Sequence, residues 1–302
     1  MSGSAAGAAC LLEVNPSQDY LQTVIPSALH TTAAVRHPVV TDLTVGIFSP
    51  SVSPSPCEPD PRKWRRVEKD LYQYTCPQSA WLYLALANEE ELTPEDLLVM
   101  DIRVGEPSAN PTSGRSWESR PGGIWILRSK FSGKIGQAVT EVDILFGADA
   151  VDPRPQWTLM QSSVQLDGLP IARLTVRHGR VKPRQDARAE LRVGQDGKFK
   201  IVQFSDTHMV TGVGVCKDAI DAQGNNLPEC EADPLTVTFI REILDVENPD
   251  LVILTGDQLH HDISDSQTAL FKVIAPIIKH SIPFAVIFGN HDTEGTHALS
   301  RE

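Results

Sequence analysis

KFKIVQFSDTHM (198–209) is a short run of apolar and β-branched residues that drops into a cluster of Asp, Thr and His. The same plan recurs in PDLVILTGDQLHHD (249–262) and in IPFAVIFGNHDTEG (282–295). Runs of this kind read as buried strands. In an open α/β sheet, ligands bind at the carboxyl ends of such strands. Asp206 and His208 are two residues apart, so extended geometry would point both side chains the same way. A carboxylate with an imidazole suits Zn, Mn or Fe far better than Ca. Gly256 lets the backbone turn tightly beside Asp257, and Asn290 offers a neutral amide oxygen next to the titratable ring of His291. A carboxylate shared by two ions, with further ligands on either side, is the usual clamp for phosphoryl transfer.

D-x-H, then G-D, then G-N-H-D, each after an apolar strand, is similar to the calcineurin-like metallophosphoesterases over roughly residues 198–295. Residues 216–258 also resemble a narrower, largely fungal group within that family. The resemblance implies a two-metal site taking divalent or trivalent Mn, Fe or Zn. Asp206 and His208 would hold the first ion, Asp257 would bridge, and Asn290 would hold the second. His291 is implied as proton donor or stabiliser at the leaving-group oxygen, with Asp292 shaping its turn, so these two form the catalytic pair. Three departures stand out. The family's later Gly-His and Gly-His-x-His motifs do not occur before Glu302, so the site is expected to be incomplete in this chain. Asp257 is not followed by the Asp-Arg-Gly of serine/threonine phosphatases. His260 stands where purple acid phosphatases place a tyrosine, so a purple centre is not expected.

Composition sets the surroundings. The length of 302 residues allows two domains, and 41% apolar content is enough for real cores. The net charge of −12 is uneven: residues 201–302 carry 5 Lys/Arg against 16 Asp/Glu, a balance of −11. Bound cations would reverse that sign locally for an anionic ester, and the same charges also serve a soluble acidic surface. A nucleic-acid groove is disfavoured. Five cysteines form no CxxC pair. Cys216 and Cys230 bracket a Gly/Asn-rich insertion; they read either as a bridge, which would need an oxidising compartment, or as two separate thiols. No apolar run approaches the roughly 18 residues that cross a bilayer, and the start lacks the pattern of a signal peptide. The expected location is the cytoplasm, although the fungal group often begins with a hydrophobic anchor.

The expected fold is a mixed α+β and α/β two-domain chain: a β-rich, sandwich-like domain, then the N-terminal half of a βαβαβ metallophosphoesterase domain. Residues 1–40 read as a disordered leader, 41–180 as the β-rich domain, 181–197 as a polar linker, and 198–302 as the metal-binding domain. Strands are expected at 42–48, 78–89, 97–106, 122–131, 138–147 and 171–179, punctuated by Pro and Gly; 64–74 fits either a helix or a strand. The five tryptophans fall in this part and read as core packing ahead of a carbohydrate or peptide groove. A helix should start with Asp233 as N-cap and Pro234 at its first position, burying Leu235, Phe239, Ile240, Ile243 and Leu244. A second should run from about Ser264 to His280 with Leu270, Val273, Ile274, Ile277 and Ile278 inward, kinked at Pro276.

The function this implies is metal-dependent hydrolysis of phosphate monoesters, phosphoproteins among them. The alternatives are an inactive truncated fragment, or a binding protein acting through its β-rich domain. The implied partner is a phosphorylated substrate, with no nucleic acid and no membrane span.

Overall fold

The computed structural model describes residues 37–48, 59–73, 77–107, 116–181, 191–217, 219–221, 223–226, 230–261 and 263–293. Of the leader read over 1–40 and the linker read over 181–197, residues 1–36 and 182–190 fall outside them. Among the described residues the chain is mostly sheet with few helices.

Nine strands come first among the described residues: β1 Pro38–Phe48, β2 Trp64–Asp70, β3 Ser79–Asn88, β4 Leu97–Val104, β5 Trp117–Arg120, β6 Ile124–Lys130, β7 Val139–Phe146, β8 Trp157–Ser163 and β9 Ala172–His178. They make three antiparallel sheets with the same order, β1-β3-β2, β4-β6-β5 and β7-β9-β8. In each, the second and third strands form a hairpin and the first closes on the third. The sandwich expectation is corrected here: three small sheets, not two large ones, surround one core. That core takes Leu43, Leu82 and Leu84 from the first sheet, Ile102, Ile124 and Ile126 from the second, and Ile144, Phe146 and Leu174 from the third, all 2% exposed or less. β1 starts at Pro38, with Val39 and Val40 fully buried, so the fold reaches into the stretch read as leader.

A short repeat underlies the three sheets. DLTVG (42–46), DIRVG (101–105) and DILFG (143–147) occupy the first strand of each. Every first strand carries a register shift just before or near the aspartate: between Val40 and Asp42, Val99 and Asp101, and Val139 and Glu141. Each aspartate accepts the amide of the next residue through its own Oδ1: Leu43 at 2.7 Å, Ile102 at 2.9 Å and Ile144 at 2.8 Å. A bulge leaves backbone groups unpaired and bends the strand; a short acidic side chain satisfies one of them. The following β-branched or leucine residue then points into the common core.

The remaining elements alternate: β10 Ile201–Phe204, α1 Ala232–Glu247, β11 Leu251–Thr255, α2 Ser266–Lys279 and β12 Phe284–Ile287. β10, β11 and β12 pair in parallel in that order, each joined to the next through a helix, as parallel neighbours require. Val252 and Leu254 are fully buried against Ile240 and Leu244 of α1 and Val273 and Ile277 of α2. Both helix readings need correction. Asp233 lies inside α1, whose N-cap is Glu231, and it is 3% exposed; Leu235 and Phe239 are exposed rather than inward. α2 begins at Ser266 on Asp265, which caps it by accepting the Thr268 amide. Its buried face carries Phe271 and Lys272, while Ile278 is exposed. Cys216 and Cys230 form a disulfide, their Cα atoms 5.3 Å apart. No helix among the described residues is long and apolar enough to cross a membrane.

Candidate metal centre

β10 and β11 stop pairing as strands at Phe204 and Leu254, yet the two chains stay zipped beyond that point. The Asp206 amide donates to Gly256 O (3.1 Å), His208 to Asp257 O (3.1 Å) and Met209 to Gln258 O (2.9 Å), and His260 returns a bond to Met209 O (3.0 Å). Two loops carrying three candidate ligands are therefore fixed to each other by backbone bonds. Buried Gln258 adds to this: its Nε2 donates to Gly256 O at 2.7 Å, and Thr207 donates to its carbonyl and side-chain oxygens at 3.1 Å.

The backbone at these tips is not extended. Asp206, His208 and Asp257 have φ of 56°, 44° and 50°, in the left-handed region that costs a residue with a Cβ about 1–2 kcal/mol. The alternation expected for Asp206 and His208 is thereby corrected: they meet because the chain coils between them, not because it continues as a strand. Such conformations cluster at functional sites, where surrounding structure holds them. Their ligand atoms, one per residue, all lie within 4.8 Å of one another, and His208 Nε2 is 3.9 Å from Asp206 Oδ1. Ser205 donates to Asp206 Oδ2.

The third tip arrives through glycine. A Cβ on Gly256 would sit 2.7 Å from Cα of Gly289, and a Cβ on Gly289 would sit 2.1 Å from Oδ1 of Asp257. The two loops touch backbone to backbone, which only glycine permits. Asp292, 3% exposed, then ties them: Oδ2 accepts the amides of Asp257 (2.8 Å) and Gly289 (2.7 Å), and Oδ1 accepts that of Leu259 (2.9 Å). Asp292 thus bonds three backbone amides of the two loops. The His291 amide donates to Asp257 Oδ1 at 2.9 Å, and its ring centroid is 5.4 Å from that of His208. Asn290 lies between these two anchored residues. His260 and His261, read as loop histidines near the mouth, join the group: their rings stack at 4.2 Å, with His260 6.0 Å from His208 and His261 5.3 Å from His291.

The donor set fits a transition-metal ion. Two carboxylates and an imidazole favour Mn, Fe or Zn, and bonds of about 2.1 Å need only a modest inward movement across the 4.8 Å spread. His208 Nδ1 is buried with no hydrogen-bond partner, the state of a ring prepared for a further ligand rather than one satisfied in a core. Gln258, Thr207 and Asp292 hold the loops that carry the candidate ligands; of these three, only Asp292 stood out in the sequence. A buried Gln directly after the aspartate was the available signal.

Residues 199–302 match the family described as Calcineurin-like phosphoesterase. This C-terminal third is similar to that family. Phosphatase DCR2 of Saccharomyces cerevisiae is 39% identical over 162 residues, covering 52% of this chain and 27% of the yeast protein, so the fungal resemblance holds. An uncharacterized protein of Schizosaccharomyces pombe is 31% identical over 253 residues, covering 80% of this chain and 46% of its own length; that likeness extends beyond the calcineurin-like segment into the β-rich part. Probable inactive purple acid phosphatase 28 of Arabidopsis thaliana is 32% identical over 126 residues, covering 41% and 31%. The chain thus spans less than half the length of each of these relatives.

Proposed function

We propose that the chain hydrolyses phosphate monoesters, phosphoproteins among the candidate substrates, at a two-metal site. Asp206, His208, Asp257 and Asn290 would hold the ions, Mn, Fe or Zn. The observation that carries this reading is the convergence of Asp206, His208 and Asp257, each on left-handed backbone, at adjoining tips of parallel strands. Bound ions supply positive charge to a phosphoryl group and acidity to a water. The chain's own residues do the rest. Asp257 is oriented by the His291 amide at its Oδ1, and Asp292 fixes the turn. Exposed Asp206 faces the solvent from which an anionic substrate arrives. His291 holds a proton for the leaving oxygen. The organisation that goes with this function is two-domain, a β-rich part followed by the calcineurin-like segment. The Cys216–Cys230 disulfide supports an oxidising compartment over the cytoplasm expected from sequence.

The test is hydrolysis of an aryl phosphate by the whole chain with added Mn²⁺. Activity should require the metal and fall at least 100-fold in Asp257→Asn; equal rates for the two proteins would end the proposal. His291→Ala should slow turnover far more than it weakens metal binding. A second reading, favoured by the name of the Arabidopsis relative, is a segment that binds metal without turnover. Tight Mn²⁺ binding, abolished by Asp257→Asn, with no hydrolysis would establish it.

A further inference from the structure

The loop that follows His208 is gripped from a direction the metal chemistry does not explain. Lys272, in the middle of α2, is 1% exposed. Its ammonium donates to Val210 O at 3.0 Å and to Gly212 O, pairs with Asp233 Oδ2 at 2.8 Å, and meets Asp149 Oδ2 at 2.5 Å. Four oxygens from three segments converge on one buried charge. Two of them are carbonyls of the loop two and four residues beyond His208. Asp233 closes the arrangement by accepting the Val210 amide at 3.0 Å. Burial pushes the Asp233 carboxyl above its ordinary range while the Lys272 charge pulls it down, as expected for a pair removed from water.

Asp149 belongs to the β-rich part, on the turn after β7. That turn is itself pinned: Arg173 of β9, 9% exposed, donates to the carbonyls of Ala148 and Ala150 at 3.3 and 3.4 Å. Beside it, a Cβ on Gly147 would lie 2.9 Å from Cα of Gly212, so the two backbones are in contact. Gly147 ends the third copy of the D-[LI]-x-[VF]-G repeat; the equivalent Gly105 has nothing within 4 Å of a Cβ. The third sheet thus differs from the second in meeting the metal-bearing loop. Phe146, also of β7, donates its amide to Thr268 Oγ1 of α2 at 3.1 Å, and Lys69 of β2 reaches Asp265, the α2 N-cap, at 3.3 Å.

We propose that Lys272 is a positioning residue that holds the Asp206–Gly212 loop in its ligand-competent form, and that the β-rich part acts on the metal site through Asp149 and this lysine. The proposal rests on the metal-site reading above. It gives the β-rich part a role at the site, because left-handed backbone at two ligands is sustained by a buried contact with a separate sheet. Removing an outer partner of a metal ligand ordinarily costs about 10–100-fold in affinity.

The experiment uses the whole chain as wild type, Lys272→Met, Lys272→Arg and Asp149→Asn. Mn²⁺ affinity is measured by calorimetry and amide hydrogen exchange is followed in the metal-free proteins. Lys272→Met should weaken Mn²⁺ binding at least tenfold and speed exchange at residues 206–214 at least tenfold, leaving β11 and α2 protected. Lys272→Arg should restore part of both. Unchanged affinity and exchange would overturn the proposal, as would exchange rising equally through β10–β12 and α2. If Lys272→Met does not fold, Asp149→Asn decides by the same two readouts, with a smaller change confined to the same loop expected. Should Asp257→Asn leave Mn²⁺ binding intact, the metal-site reading fails, while exchange in the metal-free protein still judges Lys272.

Discussion

The two regions of this molecule obey different rules. In β1–β9 the bulges recur at equivalent places, and the main core is an apolar cluster drawn from all three sheets. In β10–β12 the strands are only four or five residues long, and the interest lies past their ends, where Asp206, His208 and Asp257 take left-handed φ. The first region lowers free energy by burial. The second spends some of that stability on conformations that no isolated loop would keep. The contrast teaches that the site depends on backbone approach between tips more than on the ligands alone, and it can be broken at either end.

The largest effect should come from one methyl group. Gly289→Ala would place a Cβ 2.1 Å from Asp257 Oδ1, and Mn²⁺ binding should be abolished in titration calorimetry. Gly105→Ala, on left-handed backbone but in open space, should cost only about 1–2 kcal/mol in denaturant unfolding and leave Mn²⁺ affinity alone. Equal effects of the two on metal binding would remove the distinction drawn here.

Next in size is a cavity in the β-rich core. Ile126 is fully buried there, and Ile126→Ala should lower unfolding free energy by about 2–5 kcal/mol while changing Mn²⁺ affinity less than threefold. Asp257→Asn should do the reverse. A chain in which both variants lose stability and affinity in proportion would behave as one undivided unit.

The Cys216–Cys230 bridge, with a sequence separation of 14, closes a loop for which about 3 kcal/mol of stabilisation is usual. Thermal unfolding with and without reductant should show that loss; an unchanged midpoint would mean that the bridge contributes nothing.

The smallest expected effect concerns acid. Burial opposes ionisation of Asp143, but Lys69 and Arg154 outweigh it and hold the carboxyl below the ordinary range. A folded pKa below the unfolded one means stability that is present above about pH 4 and is lost as pH falls through the folded value. Asp143→Asn should therefore cost about 1–3 kcal/mol at neutral pH and flatten the acid limb of the stability curve. A parallel limb would exclude Asp143 as a contributor.

Much of the fold was legible because burial writes a period into the chain. The apolar runs at 97–106, 122–131 and 138–147 read as strands from their length and flanking Gly and Pro, and the three tips stood out through D-x-H, G-D and G-N-H-D. β5 and β8 were not legible, since no residue of WESR or WTLMQSS is fully buried and neither carries an alternation. The three-sheet arrangement depends on pairing between distant strands, although the repeat at 42, 101 and 143 was there to be read. Asp233 was read as an N-cap and Lys272 drew no reading, because the partners that bury them lie on other segments. The left-handed tips at non-glycine residues leave no mark in a sequence at all.

The account stands most directly on where a cation sits. An anomalous difference map from crystals of this chain grown with Mn²⁺ should show its strongest peak bounded by Asp206, His208 and Asp257, beside the amide-bound turn of Asp292. A peak elsewhere, with those three side chains directed apart, would contradict it.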